Sequence, residues 1–168
     1  MIQIDDSGSG SPVGSVGIGV FRVETGQFCF DLIPVRYFQG ALAGHQEYLG
    51  QVVPIVQAAF GMLSVAAAEE VLVCRGNVFS ALKLWLDCEG YTWSEARIEG
   101  PCQDLVEEAY SRHLMALGVP QAVIGVSGDY RRLNKQLERW VGESFAARAP
   151  VCKQWGRGWQ RICARYAV

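Results

Sequence analysis

At 168 residues the chain can enclose one sizeable hydrophobic core but is too short for two ordinary domains, so residues 1–168 read as a single domain. Half of the residues are hydrophobic and 19% are charged, a balance that excludes disorder, while no apolar run reaches bilayer length and MIQIDDSG is not a secretory leader, which points to a cytoplasmic, non-membrane protein. The net charge of −2 conceals a division: residues 1–128 hold six Lys/Arg against fourteen Asp/Glu, whereas residues 129–168 hold nine against three.

Residues 2–5 alternate as Ile2, Gln3, Ile4 and Asp5 and run into a Gly/Ser-rich turn, so a first strand ends on a carboxylate. Val16, Ile18 and Val20 alternate with Gly17, Gly19 and Phe21, and ETGQ supplies a turn before Phe28, Phe30, Leu32 and Val35, which predicts a hairpin. From Gly44 to Leu63 the apolar residues Leu49, Val52, Val53, Val56, Phe60 and Leu63 recur at helical spacing, which predicts a helix with a kink or early break at Pro54. VLVC (71–74) reads as a central, parallel strand covered on both faces. A helix capped by Asn77 runs to Asp87, a strand spans 91–98, and Pro101 opens a helix that stops at Gly118. A short strand is expected over 123–126 and a helix capped by Asp129 over 129–141, while residues 145–168 show no period. Three hairpin-connected strands followed by alternating helices and strands imply an α/β fold with a mixed five-stranded sheet flanked by helices.

The opening IDDSGSGSPVGSVGIGV resembles the first strand and turn of the ribonuclease H superfamily, whose element order is the one read above; Asp5, Gly10, Pro12, Gly14 and Gly17 carry the likeness. The resemblance implies a ribonuclease H-like fold and a nuclease that hydrolyses phosphodiesters of RNA or DNA with Mg²⁺ or Mn²⁺. Hard divalent cations require several oxygen ligands, so acids must converge at the strand ends. By this likeness Asp5 is the principal metal ligand, and Glu47, in the first turn of the first helix, has the place of the family's Glu. Aligning Val78 and Phe79 puts Arg75 where active members carry an Asp at the end of the fourth strand, and a guanidinium repels a cation. Glu99 and Asp104 are the substitutes, with Glu107 and Glu108 beside Asp104. Asp6 points to the opposite face from Asp5 if the strand continues.

The C-terminal stretch interleaves Lys153, Trp155, Arg157, Trp159 and Arg161, a pattern that can grip phosphates and stack on bases or, equally, pack its tryptophans onto the domain. The Gly/Ser-rich turn lacks the ending of a P-loop. His45 and His113 share no signature, and His113 lies on the apolar stripe of its helix as a core residue. The six cysteines have no zinc-ligand spacing and read as reduced thiols, mostly buried. The rival to a nuclease is a non-catalytic module of the same fold that binds protein or nucleic acid, its acids merely solvated or capping helices.

Overall fold

The computed structural model describes residues 1–125 and 130–167. Five strands, β1 (Ile2–Ser7), β2 (Val16–Arg22), β3 (Phe28–Ile33), β4 (Val71–Cys74) and β5 (Trp93–Ala96), form one mixed sheet in the order β3-β2-β1-β4-β5. β1, β2 and β3 are antiparallel neighbours, while β4 pairs parallel with both β1 and β5. The chain is thus α/β, with helices on both faces of the sheet.

The pleat sorts the core. Ile2, Ile4, Ile18 and Val20 point to one face and are buried beneath α1 (Glu47–Gly50), α2 (Val52–Leu63) and α3 (Ser80–Cys88). Burying each such aliphatic side chain contributes about 1.5–3 kcal/mol. The other face belongs to α4 (Pro101–Ala116), whose Cys102 and Val106 pack on Phe21 and Phe28. Glycine in β2 allows this approach, because a Cβ at Gly19 would overlap Val106 Cγ2.

The helix expected from Gly44 to Leu63 is interrupted at Gln51, which leaves Pro54 in the first turn of α2, where the missing N–H has no intrahelical partner to lose. The helix after Asn77 begins as a 3₁₀ turn (Asn77–Phe79) and continues as α3. The strand expected over 123–126 is corrected: Pro120 starts a single helical turn, α5 (Gln121–Ile124), and its carbonyl accepts from the Val123 and Ile124 amides. Val126 and the expected cap Asp129 lie outside the described residues.

α6 (Tyr130–Glu143), α7 (Phe145–Arg148) and α8 (Gly156–Tyr166) follow. Leu137, Trp140, Val141 and Ile162 from these helices join Val13, Tyr110 and Leu114 in a second hydrophobic cluster. Among the described residues, no helix is long and apolar enough to cross a membrane.

Candidate functional site

β1 delivers Asp5 and Asp6 to the carboxyl edge of the sheet, where the parallel register Ile4↔Val73 sets Cys74 beside Asp5. In an open α/β sheet this edge is where ligands bind. Asp5 shares the face of Gln3 and looks toward α4, whereas Asp6 belongs to the opposite face. β4 stops at Cys74, so the two faces meet around the strand end, and one ligand atom from each of Asp5, Asp6 and Cys74 lies within 4.8 Å of the others. Asp6 reaches Gly76, where a Cβ would stand 3.1 Å from its Oδ1.

Burial dominates the electrostatics. It raises the Asp5 carboxyl above its ordinary range, opposed by hydrogen bonds from the Cys74 thiol and the Asp6 amide and reinforced by the charge of Glu107. Asp6 is pushed up to about 6, again chiefly by burial, with a hydrogen bond from Ser9 and the charge of Lys153 working the other way. The Cys74 thiol rises to about 11 through burial and the adjoining Asp5 carboxylate. Burial thus disfavours the ionised form of three groups that stand side by side.

α4 supplies the facing wall. Glu107 lies one turn beyond Gln103 and accepts hydrogen bonds from Gln103 Nε2 (3.0 Å) and from the Tyr130 hydroxyl (2.7 Å). Asp5, Asp6, Cys74, Glu107 and Tyr130 all line a cleft of about 760 Å³.

The turn at residues 8–11 is held by a buried cation. Lys153 is 3% exposed, and its Nζ donates to the carbonyls of Gly8 (2.7 Å) and Ser11 (2.8 Å). Burial lowers its pKa to about 7, against the pull of Asp6. Tyr110 Oη donates to Val13 O (2.8 Å), and the Ser15 amide donates to His113 Nε2 (3.2 Å), so α4 fixes the far end of the same loop. Gly8 is required here: its φ is +83°, and a Cβ would enter the Tyr110 ring.

Of Asp5, Glu47, Glu99 and Asp104, the structure places only Asp5 in the cleft, joined there by Glu107. Glu47 opens α1, exposed, with Oε1 3.9 Å from His45 Nδ1. Glu99 is exposed and pairs with Arg97 at 2.8 Å. Asp104 sits in the exposed first turn of α4, and none of these three lines the cleft. Arg75 is exposed and acts on Glu95, so it is Cys74 that stands next to Asp5. Glu107 was one of the helix acids in view; Cys74 carried no signal beyond its place at the end of an apolar run.

Lys153, Trp155, Arg157, Trp159 and Arg161 all border a second cleft of about 270 Å³. Arg161 pairs with Glu138. No protein-family model matches this chain, and no curated protein matches it.

Proposed function

We propose that the chain is a divalent-metal-dependent phosphodiesterase of ribonuclease H-like build, acting on nucleic acid. The observation that carries this reading is the convergence of Asp5, Asp6 and Cys74 at the ends of adjacent parallel strands, with Glu107 facing them across a cleft. The strand order β3-β2-β1-β4-β5, with its antiparallel hairpin half, supports it.

The donor set fits one cation. Asp5 and Asp6 offer hard oxygen ligands and Cys74 a soft one, a mixture that suits Mn²⁺ better than Mg²⁺. A divalent ion held there would neutralise phosphodiester charge and ease the ionisation of water. Glu107, oriented by Gln103 and Tyr130, is placed to take a proton from a water molecule in the cleft. Lys153 holds the turn that shapes the Asp6 side.

Titration of Mn²⁺ into the protein by calorimetry should show one site in the millimolar range or tighter, and Asp5→Asn should weaken it by at least roughly 10–100-fold. Oligonucleotide cleavage should depend on Mn²⁺ and disappear in the same variant. A wild-type chain that binds no Mn²⁺ would overturn the proposal.

The second reading is a non-catalytic module. It is favoured by the Cys74–Asp5 hydrogen bond, through which the pair satisfies itself without an ion. No Mn²⁺ binding in the millimolar range or tighter, together with no cleavage of hybrid, junction or single-stranded substrates, would select it.

A further inference from the structure

The two clefts share Ser9, Gly10, Ser11 and Asn134, so they are segments of one trough. α6 is its common wall: Leu133 borders the first cleft, Glu138 the second and Asn134 both. Asn134 Nδ2 donates to Gly10 O (3.0 Å), tying that wall to the shared floor. One end of the trough carries Asp5, Asp6 and Glu107; the other carries Arg157 and Arg161.

Trp155 stands at the cationic end. It is 37% exposed, yet its indole is seated against Phe38, whose ring is nearly parallel to it at 6.5 Å, and against Tyr48 at 5.9 Å. The Gln154 amide donates to Phe38 O (2.8 Å) and Lys153 Nζ lies 5.6 Å from the centroid of the Phe38 ring, so the backbone under Trp155 is fixed as well. An exposed aromatic ring already held by its neighbours offers a stacking surface at little further cost in side-chain entropy. Trp159 differs, being half-buried and stacked on Phe145 at 5.8 Å, and its role is packing.

Arg157 is exposed and forms no ion pair with a described residue. It lies in the first turn of α8 between Gly156 and Gly158, and no side chain caps that helix start. Amides left uncovered by glycine, together with a free guanidinium beside them, match a phosphate oxygen.

We infer that this trough is a track for single-stranded nucleic acid, with Trp155 stacking on an unpaired base, Arg157 contacting the phosphate beside it, and the strand running past Ser9–Ser11 toward Asp5. This deepens the phosphodiesterase reading and rests on it for the sense of the acidic end. Stacking on the indole face requires a base outside a duplex, which is what selects the single strand.

The test is fluorescence anisotropy with labelled oligonucleotides of about 12 nucleotides, a length within the span of single-strand sites. One arm uses DNA, one RNA and one a blunt duplex, all in EDTA so that no cleavage occurs. Both single strands should bind, or one in preference, and the duplex at least roughly tenfold more weakly. Trp155→Ala should cost roughly 5–150-fold in affinity. Arg157→Ala should weaken all single strands alike and flatten the slope of log K against log salt by about one. Trp155→Phe, which keeps an aromatic ring on Phe38, should recover part of the loss, separating stacking from misfolding. Equal or tighter duplex binding, no oligonucleotide binding at all, or full affinity in both Trp155→Ala and Arg157→Ala would overturn the inference. The Mn²⁺ titration is independent of this measurement, so failure of the track and failure of the metal site are distinguishable.

Discussion

A buried lysine usually finds a carboxylate; Lys153 instead spends two of its protons on the carbonyls of Gly8 and Ser11, with Asp6 as a neighbouring charge. Truncation to alanine leaves both carbonyls without that donor and Asp6 without its facing cation. Lys153→Ala should therefore lose about 2–4 kcal/mol of stability in urea unfolding. His113 provides a pH-dependent case. Burial, and then the charge of Lys153, lower its pKa below 6.5, so the native state binds fewer protons than the unfolded chain just below that pH. The contribution is present in full above 6.5 and is lost as the pH falls through the native value. Wild type should lose more stability than His113→Gln between pH 7 and 5, measured by urea midpoints across that range. Parallel curves would show that His113 does not titrate differently on folding. At this scale the place of Asp5 in the first strand was legible from local alternation, although β1 runs on past it to Ser7. Lys153 was legible only as a cation in a basic tail. Its burial comes from contacts with residues more than 140 positions away, which no local pattern encodes.

Elements were read more completely than residues. The hairpin strands, VLVC and the helix opened by Pro101 stand where alternation, apolar runs and capping put them, since each is determined by its own sequence. α8 went unread because its buried anchor is Ile162, with Trp159 only half-buried, too few apolar positions to display a period. The strand expected over 123–126 overlaps the helical turn at Val123 and Ile124, two apolar residues that suit either state. Packing between elements gives two opposed predictions for glycine. Gly19→Ala drives a methyl group into Val106 across the β2–α4 contact and should cost about 1–3 kcal/mol. Gly61→Ala, on the exposed side of α2 with nothing within 4 Å of its Cβ, should add about 0.5–1 kcal/mol through helix propensity. Thermal melts of the two variants should move in opposite directions.

Across the whole molecule, packing joins the acidic body to the basic C-terminal segment. Leu137 and Ile162 meet Tyr110 and Leu114 in one cluster, while Arg161 and Arg148 pair with Glu138 and Glu143 inside the basic segment itself. Leu137→Ala should therefore cost about 2–5 kcal/mol and shift one common transition. Far-UV circular dichroism and tryptophan fluorescence should give coincident urea curves; an early, separate fluorescence step would show that the C-terminal helices unfold on their own. The charge division was visible in the sequence, but the trough it produces required the fold, because Asn134, Gly10 and Arg157 come together only in three dimensions.

The clamp that Lys153 places on Gly8 and Ser11 also bears on the order in which the protein can be completed during translation. β1 leaves the ribosome ahead of the hairpin and α4, which can assemble behind it, yet the carbonyls of the 8–11 turn lack their buried donor until position 153 has emerged. Position 153 thus finishes what residues 8–11 begin. A nascent chain that stops short of it would carry Asp5 and Asp6 on an unfinished turn, coupling maturation of the cleft to synthesis past that point.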